Sequence, residues 1–186
     1  MKIGLISDIH ANLPALKSVF NAEEAKSVER WLSMGDIVSY YYWPSECIEL
    51  LIQNSVDCIV GNHDEMLKKA VNLGFSESYI RQYGSGGNLA LKTLSNEQFE
   101  WLNSLPQKLE LILNGNSVLI CHGSPWDNDY YIYPDANNDV IQRMKDTGFD
   151  LIFYGHTHYP IIWQDSDTVS YTHLRAHETR HDLVCR

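Results

Sequence analysis

Lys2-Ile3-Gly4-Leu5-Ile6-Ser7-Asp8-Ile9-His10-Ala11-Asn12-Leu13-Pro14 opens the chain with a short apolar run, breaks into polar residues and re-enters a helical pattern. Residues 2–7 read as a strand, because an apolar run this short bounded by polar groups has strand rather than helix length. Asn12 is a helix N-cap by type, and Pro14 falls in the first turn, where its missing N–H has no partner to lose. That helix is expected to run to about residue 26. A strand handing over to a helix through a polar loop is one βα unit.

The same pattern recurs downstream. Residues 31–34 are strand-like, residues 44–52 helical from Pro44, and residues 57–60 strand-like again, before a mostly helical stretch to about residue 103. Ser95 and Gln98 make a capping box for the last of those helices. Residues 109–113 and 117–121 flank Asn114-Gly115, the strongest short-range hairpin signal. A helix near 137–145 and a strand at 150–154 follow. Alternating units early and a hairpin later predict an α/β domain containing two sheets.

Five strand-like segments end on potential metal ligands: Asp8 and His10, Asp36, Asn62 with His63 and Asp64, His122, and His156 with His158. Open α/β sheets place their ligands at such strand C-termini. Asp8 and His10, like His156 and His158, are two apart, which in extended backbone sends both side chains to one side. Glycine before Asp36, Asn62 and His156, and after His122, frees the chain to turn where strand becomes loop. One histidine on an apolar segment is ordinarily hydrogen-bonded structure, but five such coincidences predict a metal site. Carboxylates mixed with imidazoles and no thiolate suit Mn²⁺, Fe or Zn²⁺, with Mn²⁺ the first expectation.

The blocks Asp8-x-His10, Gly35-Asp36, Gly61-Asn62-His63-Asp64, His122 and Gly155-His156-x-His158 resemble, in order and type, the five signature motifs of calcineurin-like metallophosphoesterases. The resemblance covers about residues 1–164. Ser7-Asp8-Ile9-His10-Ala11-Asn12-Leu13-Pro14-Ala15-Leu16 and His122-Gly123-Ser124-Pro125 look like its small bacterial phosphodiesterase or diadenosine-tetraphosphatase-like branch. It implies a two-sheet sandwich flanked by helices, with two divalent metal ions. Asp8, His10 and His158 would hold one, Asn62, His122 and His156 the other, and Asp36 would bridge them. It further implies hydrolysis of a small phosphodiester or phosphomonoester by a metal-bridging hydroxide. His63 would protonate the leaving oxygen, with Asp64 either orienting it or merely capping a helix expected to start near Glu65. A non-catalytic scaffold of the same fold and a nuclease are the alternatives.

Departures from the family pattern narrow the substrate. Gly35-Asp36-Ile37-Val38-Ser39-Tyr40-Tyr41 lacks the Asp-Arg-Gly block of protein phosphatases and argues against a phosphoprotein. Tyr40-Tyr41-Tyr42-Trp43 could stack on a nucleobase or simply pack its loop. Trp126, Tyr130, Tyr131 and Tyr133 follow the His122 motif in a polar loop of the kind that lines binding mouths.

At 186 residues and 44% apolar content, the chain fits one domain, assigned to residues 1–168. Its formal charge of −10 argues against a nucleic-acid polymer as partner, and so against the nuclease. A small phosphorylated substrate, such as a nucleotide, escapes that objection when metal ions hold it. Cys47, Cys58, Cys121 and Cys185 show no paired spacing, and three sit in apolar stretches as buried free thiols would. No apolar run approaches the ~20 residues of a membrane span, and no signal peptide opens the chain, so a cytoplasmic protein is expected.

Residues 169–186 read differently. Val169-Ser170-Tyr171-Thr172-His173-Leu174-Arg175-Ala176-His177-Glu178-Thr179 looks like one frame of a sequencing-library adapter, and Asp182-Leu183-Val184-Cys185-Arg186 like its continuation. The segment is therefore expected to be a non-native tail, and His173, His177 and His181 are not recruited as ligands despite their helical spacing. Relatives continue past the last motif with further strands, which are expected to be missing here.

Overall fold

Three parallel strands form the first sheet, because each βα unit returns the chain to the same edge of its predecessor. In the computed structural model, which describes residues 1–164 and 169–172, β1 (Ile3–Ile6), β2 (Arg30–Ser33) and β3 (Asp57–Cys58) lie in that order. Ile3 pairs with Arg30 and Leu5 with Leu32, and Leu32 in turn faces Asp57. Between them run α1 (Leu13–Phe20) and α2 (Pro44–Gln53). Asn12 caps α1 by accepting the Ala15 N–H at 3.2 Å. That helix ends earlier than the sequence suggests: Ala22 adopts extended backbone and starts a separate 3₁₀ turn at Glu23–Ser27. Phe20, edge-on to Trp31 at 4.9 Å, anchors the end.

A helical block follows: α3 (Asn62–Ala70), α4 (Glu77–Tyr83), α5 (Gly86–Thr93) and α6 (Asn96–Ser104). The Ser95–Gln98 capping box is present at the start of α6. The second sheet is mixed, with β4 (Leu109–Leu113), β5 (Asn116–Ile120), β6 (Leu151–Tyr154), β8 (Val169–Thr172) and β7 (Ile161–Gln164) in that order. Asn114 and Gly115, at φ 51° and 88°, make the tight turn of the β4–β5 hairpin. The helix α7 (Asn138–Lys145) crosses from β5 to its parallel neighbour β6.

Strand alternation divides the apolar residues among three layers. Ile3, Leu5 and Leu32 from the first sheet meet Val118, Ile120 and Phe153 from the second in the sandwich centre. Ile6 and Cys58 face the helices, packing with Leu16 of α1, Ile48 and Leu51 of α2 and Leu67 of α3. Leu119, Cys121, Ile152 and Tyr154 turn outward against Met144 of α7 and Ile132. The result is the expected two-sheet sandwich flanked by helices. Cys47, Cys58 and Cys121 are buried free thiols.

The backbone of β8 occupies a place in the second sheet, parallel to β6 and antiparallel to β7. These four residues open the segment whose sequence resembles an adapter. Strand pairing of this kind uses main-chain N–H and C=O groups, which every residue but proline supplies. His173, His177, His181 and Cys185 lie outside the described residues. Among the described residues no helix is long and apolar enough to cross a membrane.

Candidate metal centre

Parallel pairing brings the C-terminal ends of β1, β2 and β3 together, and the ends of β5 and β6 meet them from the other sheet. Backbone hydrogen bonds lock the loops that follow: Asp8 N–H donates to Gly35 O at 3.0 Å, His10 N–H to Asp36 O at 2.8 Å, and Gly155 N–H to His122 O at 2.8 Å. The extended geometry expected for the Asp8/His10 and His156/His158 pairs is not what forms. Asp8, His10, Asp36, His156 and His158 all have positive φ, between 50° and 69°. Non-glycine residues adopt this left-handed region at a cost, and such strain persists where surrounding contacts over-determine it. The strands have already ended at Ile6 and Tyr154, so these side chains are aimed by tight loops rather than by pleat.

The donor atoms fall into two groups. One oxygen or nitrogen from each of Asp8, His10 and His158 lies within 4.8 Å of the others, as do those of Asp36, His122 and His156. His10 Nε2 is 3.3 Å from His158 Nε2, and His158 Nε2 is 3.2 Å from Asp8 Oδ1. Asp36 Oδ2 stands between the groups, 3.3 Å from His122 Nε2 and 3.7 Å from His10 Nε2. Asn62 joins the second group through Oδ1, 3.0 Å from His122 Nε2.

These residues fit a metal ion. His122 Nδ1 lies 2.7 Å from Met34 O and His10 Nδ1 3.2 Å from Val38 O, contacts that a carbonyl makes only with N–H. Each neutral ring therefore turns an Nε2 lone pair toward other acceptors, the orientation that outer carbonyls give to metal-binding imidazoles. His156 Nε2 is buried without a hydrogen-bond partner. A cation satisfies these facing acceptors together.

Without one, a proton partly substitutes. Burial works against charge on His122, but the Asp36 carboxylate overrides it and lifts the imidazole to about 10. Burial likewise opposes the Asp36 carboxylate, while His122, His10 and His63 hold it well below the usual range. The His122 pKa is raised on folding, so its stabilisation of the metal-free chain is complete below about 6.5 and is lost as pH rises through about 10. A metal ion must displace that proton. Mn²⁺ uptake near pH 8 is expected to release protons, and affinity to fall as pH falls. Calorimetry in buffers of differing ionisation enthalpy reads this directly, and buffer-independent heats would contradict it.

The family model for the calcineurin-like phosphoesterase superfamily domain matches residues 1–175. The chain belongs to that superfamily. It is 35% identical over 166 residues to an uncharacterized protein of Methanocaldococcus jannaschii, covering 86% of this chain but 63% of that one. A phosphodiesterase of the same organism is 24% identical over 170 residues, covering 91% and 80% of the two chains. The metallophosphoesterase structure from Sphaerobacter thermophilus superposes with a TM-score of 0.71 at 28% identity, covering 92% and 75%.

Two further residues beside the donor groups, Asp64 and His63, are held by contacts distant in sequence. Asp64, fully buried, accepts from the N–H groups of Ile37 and Val38, each at 3.0 Å, and of Gly61 at 2.9 Å. Its carboxylate thus ties the Asp36 loop to the start of α3, which begins at Asn62 rather than near Glu65. The partner of the His63 ring is the Tyr79 hydroxyl, 3.5 Å from Nδ1, itself 3.3 Å from Ser39 Oγ. No sequence signal marked Tyr79, sixteen positions away on another helix. Of the aromatic run, Tyr40 meets the site, its ring 4.6 Å from His10 and 4.9 Å from His63. Trp126 instead packs outside the second sheet, with Arg143 stacked over it at 4.1 Å.

Glycine matters here for room as well as for turning. Gly61 has extended backbone, yet a Cβ on it would stand 2.1 Å from Asp36 Oδ1. Gly61→Ala is therefore expected to displace the Asp36 carboxylate and lower Mn²⁺ occupancy and any metal-dependent turnover by roughly 10–100-fold, the range for disturbed support of a metal ligand. Metal analysis and ester hydrolysis measured together check it.

Proposed function

We propose that this chain is a dinuclear metal-dependent phosphoesterase acting on a small phosphodiester or phosphomonoester. The observation that carries the reading is the pair of donor groups, Asp8/His10/His158 and Asp36/His122/His156, gathered at the joined strand ends. When bound, two divalent ions, with Mn²⁺ the first choice, supply Lewis acidity to a phosphoryl oxygen and acidify a water near neutral pH.

The chain's own residues do the rest. Asp8, His10 and His158 would hold one ion, Asn62, His122 and His156 the other, and Asp36 would serve both. Met34 and Val38 carbonyls fix the two buried rings by their Nδ1–H bonds. His63, whose main-chain N–H donates to Asp36 Oδ1 at 2.9 Å, stands beside the shared carboxylate and protonates the leaving oxygen. Tyr79 orients that ring. Asp64 serves as a brace between loops. The Asp36 loop brings no arginine to clamp a phosphoprotein.

The test is Mn²⁺-dependent hydrolysis of bis-p-nitrophenyl phosphate and p-nitrophenyl phosphate. Turnover that disappears with chelation and returns with metal supports the proposal. A folded, metal-loaded chain inert toward both esters would favour a scaffold role instead.

A further inference from the structure

Tyrosine rings border the centre on the His156 side. The Tyr131 ring lies 3.8 Å from that of His156, inclined by 32°. Tyr133 lies nearly parallel to Tyr131, at 5.6 Å and 9°, and Tyr159 meets Tyr133 edge-on at 5.8 Å. Tyr131, Tyr133 and Tyr159 are 48, 42 and 54% exposed.

Loop packing does not account for this row. Ile132, between the two tyrosines, is fully buried in the outer core with Met144 and Tyr154 and already anchors the segment. Alternation about that anchor leaves Tyr131 and Tyr133 on the opposite, solvent side, flat faces aligned. Nor is this a place for more anion: Asp129 Oδ1 is 3.6 Å from His156 Nε2, and the chain carries a formal charge of −10. A neutral planar group suits the surface better than a second phosphate.

The geometry points to the Tyr131–Tyr133 pair as a stacking platform for the base of a nucleoside phosphate whose phosphorus lies at the metal centre. The inference rests on the phosphoesterase reading and adds the substrate class to it. Stacking on aromatic side chains is sequence-tolerant, so the platform selects for a base without choosing which. The platform starts against a candidate ligand, with Tyr131 3.8 Å from the His156 ring, and runs outward to Tyr133 5.6 Å further on, which suits a base set off from its phosphate by a sugar.

Calorimetric titration of the Mn²⁺-loaded chain with adenosine 5′-monophosphate, ribose 5-phosphate and phenyl phosphate tests this. The nucleotide is expected to bind roughly tenfold tighter than the sugar phosphate, with Tyr133→Leu reducing the ratio to about threefold or less and Tyr133→Trp preserving it. Equal binding of nucleotide and sugar phosphate, in a chain that still hydrolyses p-nitrophenyl esters, overturns the platform and leaves the phosphoesterase reading standing. Phenyl phosphate matching the nucleotide overturns the nucleoside assignment, and an undiminished ratio in Tyr133→Leu overturns the placement. A chain that binds none of the three and hydrolyses no ester overturns both readings. The comparison within the parent chain decides the matter even if a variant does not fold.

Discussion

Asp36→Asn is expected to abolish metal-dependent turnover, with a loss of at least ~10³-fold, because the metal pair proposed for this site would supply several kcal/mol of transition-state stabilisation. The substitution keeps the shape of the side chain and removes its charge. Three connections run through that carboxylate: Oδ2 faces His122 at 3.3 Å and His10 at 3.7 Å, and Oδ1 accepts the His63 N–H at 2.9 Å. An amide can keep the last of these but cannot serve as the shared anion of two donor groups. Metal content is therefore expected to fall alongside activity. Elemental analysis, bis-p-nitrophenyl phosphate turnover and circular dichroism together separate a lost site from a lost fold. A folded variant that keeps the parent's rate would remove Asp36 from the bridging role.

The residues that meet at this centre were legible because strand ends are legible. Apolar runs such as residues 3–6 and 151–154 stop two residues before Asp8 and His156, and parallel pairing within each sheet, with the two sheets packed together, makes five separate strand ends one place. The Asn114-Gly115 turn was equally plain, being a local rule. The conformation that aims the ligands was not. Positive φ at Asp8, His10, Asp36, His156 and His158 is imposed by hydrogen bonds between loops distant in sequence, such as His10 to Asp36 and Gly155 to His122.

Asp64 was ambiguous for a related reason. A capping role was one of its two readings, for a helix starting near Glu65; the bond it makes to Gly61 is local, but its bonds to Ile37 and Val38 span 27 and 26 positions. Burial, followed by repulsion from the Asp36 carboxylate, lifts it to about 7 despite those three donors. Its place in the structure is that of a clasp between the Asp36 and Asn62 loops. The tyrosines divide in the same way. Composition flagged an aromatic loop after His122, but burial of Ile132 is what turns Tyr131 and Tyr133 to the solvent side, and packing of Trp126 takes it away from the site.

Replacing His63 gives the second large effect, and its pattern is more telling than its size. His63→Gln is expected to slow esters of alkyl alcohols by ~10²–10⁴-fold, the usual contribution of a positioned general acid. p-Nitrophenyl esters should slow far less, since p-nitrophenolate departs without needing a proton. The main-chain bond from residue 63 to Asp36 survives the change of side chain, so the donor groups stay assembled and metal content should not fall. Tyr79→Phe removes only the hydroxyl 3.5 Å from His63 Nδ1, and is expected to reproduce the same leaving-group dependence at roughly tenfold or less. The ratio of kcat/KM for a methyl ester to that for a p-nitrophenyl ester, measured in both variants, checks this. Equal losses on the two esters would make His63 a structural or metal-supporting residue. A selective loss on the alkyl ester, large in His63→Gln and smaller in Tyr79→Phe, fits only a proton delivered to the leaving oxygen by a ring that Tyr79 holds in place.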